Sequence, residues 1–181
     1  MKLLPTPIEG VMLIDPEVFA DDRGSFMEIW HARKFAAAGL DIAFVQDNQS
    51  RSRKGVLRGL HYQASRPQGK LVRVVSGAVF DVVVDLRRAS PTFGRWFGAR
   101  LTAQNARMLW APPGMAHGFL TLTQNVDLTY KCTDFHVPED ERAIAWNDPD
   151  LAIAWPLGPG EQPTLSPRDA AAGAFRDASL R

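Results

Sequence analysis

The chain has 181 residues, 45% hydrophobic and 23% charged, a soluble composition long enough for one domain with a substantial core. Its formal charge of +1 leaves no global field to attract nucleic acid, and nothing approaches the ~20 continuous apolar residues of a membrane span. A small ligand is therefore expected, and the single cysteine, Cys132, excludes an internal disulfide or a cysteine-rich zinc site and fits the cytosol.

Residues 1–7 carry Lys2 but no apolar run before Pro5 and Pro7, so they are not read as a signal peptide. A first strand is expected over 11–14, then a loop through Asp21-Asp22-Arg23-Gly24, then a second strand over 26–30. The alanine-rich segment 31–38, followed by Gly39, predicts a short helix. Apolar residues 42–45 give way abruptly to Gln46-Asp47-Asn48-Gln49-Ser50, a run that suits a turn better than a ligand-binding surface. Residues 55–70 set Arg58, His61 and Lys70 around glycines inside an apolar strand pattern. Gly59 there contributes no packing and marks a bulge or a close backbone approach.

Residues 71–75 and 78–86 predict the clearest pair of strands, with Ser76-Gly77 as a two-residue hairpin connection. Val72, Val74, Ala78, Phe80, Val82, Val84 and Leu86 would then share one apolar face. Arg73, Asp81, Asp85 and Arg87 fall on the other, and Asp81 among valines needs a partner if buried. Further strands are expected over 96–101, 107–111, 118–123, 126–133 and 144–146, and from about 157 the chain becomes loop-like with a short helical end. Short strands at regular spacing, one helix and no alternation of strand and helix predict an antiparallel sandwich or barrel.

His61 follows a glycine-containing strand and His117 follows Pro113-Gly114-Met115-Ala116, an arrangement similar to the two-part signature of the cupin superfamily of β-barrels. A metal-binding cupin carries His-x-His with a nearby Glu, whereas this chain reads His61-Tyr62-Gln63 with no Glu before Gly77. No metal site is expected from these motifs. The groups left to move protons near neutral pH are the histidines, with Tyr130, Lys70 and carboxylates as partners. On its own, a lone strand tyrosine such as Tyr130 is more often a core residue.

Read together, Asp22-Arg23-Gly24-Ser25-Phe26-Met27-Glu28, Gln46-Asp47-Asn48, the segments 55–62 and 68–73, Val79-Phe80-Asp81-Val82, Ser90-Pro91-Thr92-Phe93-Gly94, His117-Gly118-Phe119, Tyr130-Lys131 and Trp146-Asn147-Asp148-Pro149 resemble the dTDP-4-dehydrorhamnose 3,5-epimerase family over nearly the whole chain. The resemblance implies a mainly β, cupin-type jelly roll with a few short helices, spanning 1–181 as one domain, cytoplasmic, homodimeric and working without metal or cofactor on a dTDP-sugar. It implies His61 as general base oriented by Asp169, Tyr130 as general acid on the opposite sugar face, and Lys70 as the cation facing the C4 oxygen. Arg23, Phe26, Glu28, Gln46, Asp47, Asn48, Arg58, His117 and Glu141 match positions lining the nucleotide-sugar site, and Arg168 stands where a Lys is common, near the diphosphate. His136, in Asp134-Phe135-His136, departs from the family pattern, which has an aromatic there. In a regular strand Arg58 and His61 would face opposite sides, a conflict that a bulge at Gly59 removes. Two other readings stay open: an epimerase acting at C3 only, and a sugar-binding barrel without the chemistry.

Overall fold

Val72 and Val74 meet Val79, Val83, Leu101, Leu109 and Leu128 in the middle of two facing sheets, and this fully buried layer is the main core. The computed structural model describes residues 1–178. Among them the first sheet runs β1 (Lys2–Pro5), β2 (Met12–Asp15), β10 (Met108–Ala111), β7 (Lys70–Ser76), β12 (Asn125–Cys132) and β5 (Gln46–Arg53). The second runs β13 (Glu141–Ala143), β6 (Leu57–Gln63), β11 (Met115–Thr121), β8 (Ala78–Asp85) and β9 (Trp96–Thr102), and β3 (Val18–Asp21) pairs only with β4 (Gly24–Met27). All strand pairings are antiparallel, as expected of a jelly roll. No helix among the described residues is long and apolar enough to cross a membrane.

Ser76-Gly77 is not a hairpin turn. β7 pairs with β10 and β12, while β8 pairs with β11 and β9 in the other sheet, so the chain crosses from one sheet to the other at Gly77. Gly77 has φ +80°, and a Cβ there would run into the Asn125 backbone and the Thr123 side chain, so a side chain is excluded. The crossing inverts the side-chain parity: Val72 and Val74 share the core with odd-numbered Val79 and Val83. Val82, Val84 and Leu86 instead pack outward under Ile144, Leu151, Ile153, Trp155 and Phe175. β8 is buried on both faces, so its valines carry no periodicity to reveal this.

Three further segments differ from expectation. Gln46-Asp47-Asn48-Gln49-Ser50 belongs to β5, an edge strand whose burial alternates residue by residue, because its inner face lines a polar cavity rather than an apolar core. Residues read as a loop around Asp21 form the exposed β3–β4 hairpin. The predicted strand 144–146 lies a few residues earlier, as β13, with Ile144 bridging to Gly173. The helix is α1 (Ala32–Ala37), whose Phe35 packs with Ile14, Leu71, Met108 and Trp110 on the outside of the first sheet. The tail is loop-like and carries α2 (Pro167–Ala170).

The Ser90-Pro91-Thr92-Phe93-Gly94 motif has a structural task. Asp85 is fully buried and accepts hydrogen bonds from Arg87, Ser90 and Thr92. Burial alone would raise its pKa, but these donors hold its carboxyl down at about 2, tying the end of β8 to the turn that follows.

Candidate active site

The open end of the sandwich holds a cavity of ≈ 390 Å³ walled by both sheets. β5 contributes Gln46, Asn48 and Ser50, β7 contributes Lys70, and β12 contributes Tyr130; from the second sheet come Arg58 and His61 of β6, His117 and Phe119 of β11 and Glu141 of β13. Gln68 and His136 close the rim.

The bulge expected at Gly59 is present. Along β6 and β11 the register passes from His61↔His117 to Arg58↔Phe119, so Gly59 and Leu60 together oppose Gly118 alone. Gly59 has φ +113°, and a Cβ at either Gly59 or Gly118 would collide with the backbone of the other strand. The extra residue turns Arg58 and His61 toward the same cavity.

Two histidine–aspartate pairs face this cavity. His61 Nε2 lies 2.5 Å from Asp169 Oδ1, and Asp169 is 4% exposed. Burial pushes the Asp169 carboxyl up, but the hydrogen bonds from His61, Ser166 and the Gly59 N–H outweigh it and hold the group below the usual carboxylate range. An ionised Asp169 accepts the Nε2–H of His61, which leaves Nδ1 as the basic nitrogen. The second pair joins His117 Nε2 to Asp81 Oδ1 at 2.8 Å, and Asp81 Oδ2 is buried with no partner among the described residues.

Across the cavity from His61, burial raises the Tyr130 phenol, as do the nearby Cys132 and Glu141, against Arg58, which lowers it; the hydroxyl keeps its proton at neutral pH. Lys70 Nζ lies 5.9 Å from the centroid of the Tyr130 ring. Burial lowers the Lys70 ammonium, while Cys132, Glu141 and Asp81 support it. Such a cation in a dry site is costly until a negative charge develops beside it, which suits it to stabilise an oxyanion.

The rim is tied by hydrogen bonds. Gln46 Nε2 donates to Asn48 Oδ1 (3.0 Å), Asn48 Nδ2 donates to Cys132 Sγ (3.5 Å), and the His136 backbone N–H donates to Gln46 Oε1 (2.9 Å). Glu141 pairs with Arg168 and lies 3.3 Å from His136 Nε2. Burial pushes its carboxyl up, and the positive fields of His61, His136 and Arg168 bring it below the usual range.

Of the residues the resemblance singled out, His61, Lys70, Tyr130, Gln46, Asn48, Arg58, His117 and Glu141 line this one cavity, with Asp169 and Arg168 directly behind it. Asp47 does not join them; it points out of β5 and pairs with Lys131 at 2.9 Å. Arg23 and Phe26 sit on the β3–β4 hairpin, Arg23 paired with Asp21 and Phe26 71% exposed, while Glu28 pairs with Lys34. Asp81 was absent from the predicted site, although its position among valines was the signal that it needed a partner. Ser166, which both caps α2 and donates to Asp169 Oδ2 at 2.9 Å, had no such signal. Among the described residues no group of three or more His, Cys, Asp or Glu is placed to hold a metal ion.

A base on one wall, a proton-bearing phenol on the other and a buried cation between strands form an arrangement able to remove a proton next to a carbonyl and return one from the opposite side. Comparison with known proteins agrees with this chemistry. The family model for dTDP-4-dehydrorhamnose 3,5-epimerase matches residues 5–177. The chain is 55% identical over 179 residues to the dTDP-4-dehydrorhamnose 3,5-epimerase of Pseudomonas aeruginosa, covering 98% of each. It superposes with a TM-score of 0.93 on the dTDP-6-deoxy-D-glucose-3,5-epimerase of Legionella pneumophila in complex with dTDP-4-keto-L-rhamnose, at 50% identity over 97% of this chain and 93% of that one. A 3'-monoepimerase from Streptomyces bikiniensis in complex with dTDP-quinovose is also similar, at 37% identity and a TM-score of 0.89 over 96% of this chain and 87% of that one.

Proposed function

This chain belongs to the dTDP-4-dehydrorhamnose 3,5-epimerase family, and on that premise we propose how its own residues carry out the reaction. It is an isomerase of dTDP-sugars that inverts C3 and C5 of dTDP-4-dehydro-6-deoxy-D-glucose, the step that leads toward dTDP-L-rhamnose. The observation that carries the assignment of roles is that His61 and Tyr130 line one cavity from opposite sheets.

His61 Nδ1 takes the proton from the carbon next to the C4 ketone while Asp169 receives the Nε2–H and balances the imidazolium. The C–H electron pair moves into an enolate, whose oxygen meets the Lys70 ammonium. Tyr130 then gives its hydroxyl proton to the opposite face of the same carbon, inverting it; His61 releases its extra proton to solvent and the Tyr130 phenolate regains one from solvent, and the restored pair acts in the same way at the second carbon. Arg58, His117, Gln46 and Asn48, which line the cavity, would hold the sugar and nucleotide, and Arg168, held by Glu141, would meet the diphosphate. Neither metal nor cofactor takes part, and the whole chain acts as one domain in the cytosol.

The functional unit is a homodimer. Supporting this are the exposed Val18, Phe19 and Phe26 of the β3–β4 hairpin and the buried Arg73 Nε, which has no partner among the described residues, in a second depression on the outer face of the first sheet. Arg23, Phe26 and Glu28 would serve a neighbouring subunit's cavity, and Asp47 would face the interface. Sedimentation at micromolar concentration is expected to give twice the 20.0 kDa of the chain, and a 20.0 kDa species alone overturns the shared site.

Incubation with dTDP-4-keto-6-deoxyglucose in deuterated water tests the reaction itself. Deuterium at both C3 and C5 is expected. Deuterium at C3 alone would assign a monoepimerase, and none at either carbon would leave a binding barrel.

A further inference from the structure

Asp169 is not carried by either sheet. It sits on α2 in a strap, residues 164–175, laid along the edge of β6, and the backbone hydrogen bonds of 166–172 stay within the strap. In its middle the strap is held by side chains, with Arg168 donating to the Glu141 carboxylate and carbonyl and the Gly59 N–H donating to Asp169, and the base pair depends further on where the two ends of the strap are fastened. Upstream, Thr164 donates to Gly55 O (2.8 Å) and accepts from the Leu57 N–H (3.0 Å). Downstream, the Ala145 N–H donates to Gly173 O (2.8 Å) and the Phe175 N–H donates to Asp148 Oδ2 (2.8 Å).

Asp148 is 3% exposed and has no cationic partner among the described residues. Its Oδ1 accepts from the N–H groups of Asp150 (3.0 Å) and Leu151 (3.2 Å), so the carboxylate joins the turn after β13 to the strap. Burying an ionised group for backbone N–H donors alone is costly unless the segments it joins must be held. Leu151 and Phe175, the residues on either side of this joint, pack into the same cluster over the outer face of the second sheet.

We propose that Asp148 is a positioning residue for the His61–Asp169 pair: by accepting the Phe175 N–H it clamps the strap and sets where the Asp169 carboxylate meets His61. The proposal rests on the epimerase reading above. It assigns the buried carboxylate of Trp146-Asn147-Asp148-Pro149 a part in the reaction although it touches neither the cavity nor the dyad.

The test is a double-mutant cycle with Asp148→Asn, which keeps one carbonyl oxygen for the turn but presents an amide to the Phe175 N–H. In chain otherwise unchanged, kcat is expected to fall roughly ten-fold, as misplacement of a catalytic group does, with KM within about two-fold. In the Asp169→Asn background the same substitution is expected to leave kcat unchanged, because the group it positions is already gone. A merely structural role would lower the melting temperature but cut kcat by the same factor on both backgrounds, and that result, or no fall at all, overturns the clamp. Should Asp148→Asn melt below the assay temperature, all four variants of the cycle are assayed at a temperature where circular dichroism shows each of them folded, and the same two-background comparison decides. Absence of C3 and C5 exchange in the unaltered chain would overturn the epimerase reading and the clamp with it, a result distinct from either of the others.

Discussion

The same chemical pair, a histidine on a carboxylate, is built twice around one cavity in two different ways. His117 and Asp81 stand on neighbouring strands β11 and β8 of one sheet, both buried, and the ladder alone sets their geometry. His61 stands on the bulged strand β6 and receives its carboxylate from a tail 108 residues further along the chain. In the second case both Asp169 oxygens are occupied, by His61 and by Ser166, whereas Asp81 Oδ2 has no partner among the described residues. A fully satisfied carboxylate stays ionised and holds its imidazole in one tautomer, which is what a base requires. A rigid pair with a spare buried oxygen is better suited to fixing a ligand than to cycling a proton.

The largest effect that would test this contrast is His61→Ala, expected to cut epimerisation and solvent deuterium uptake by ~10²–10⁴, the usual loss for a general acid–base group. Asp169→Asn is expected to cost less, roughly 10² in kcat, since the imidazole remains but is poorly oriented. Asp81→Asn is expected to be smaller again, about ten-fold or less in kcat/KM, because His117 keeps a hydrogen-bonding neighbour. Steady-state rates of the three variants rank them, and an Asp81→Asn loss equal to that of Asp169→Asn would make the two pairs equivalent and remove the case for a single base. Smallest for activity is Asp85→Asn, expected to leave kcat unchanged and to act only on stability. Asp85 has its folded pKa lowered from 3.8 to about 2, so its contribution is complete above the unfolded value and is lost as pH falls through the folded one. The unaltered chain should lose about 2 kcal/mol between pH ~5 and pH ~2 that the Asn variant does not lose, read by denaturant unfolding at each pH.

The two pairs also differ in how far they can be read in the sequence. Asp81 among valines announces a buried carboxylate in need of a partner, and Gly59 between Arg58 and His61 announces the bulge. Both are local signals that follow from strand periodicity. Asp169 has no comparable signal, because its meaning comes from an edge contact across 108 residues, and only the likeness of whole motifs to a known family points to it. Periodicity failed where the environment was symmetric or inverted. β8 is apolar on both faces, so the crossing at Gly77 reads as a hairpin. β5 turns polar residues inward toward a polar cavity, so a strand reads as a turn. The β3–β4 hairpin, with Phe26 outside the core, reads as loop and strand fragments because nothing among the described residues buries it.

The central claim is that a proton leaves on the His61 side and returns from the Tyr130 side, and Tyr130→Phe separates the two events. Losing only the phenolic hydroxyl, this variant should still form the enolate and have it requenched from the His61 face. Substrate recovered from deuterated water should therefore carry deuterium at C3 or C5 with its configuration retained. The account is contradicted if Tyr130→Phe abolishes deuterium uptake while His61→Ala leaves it intact.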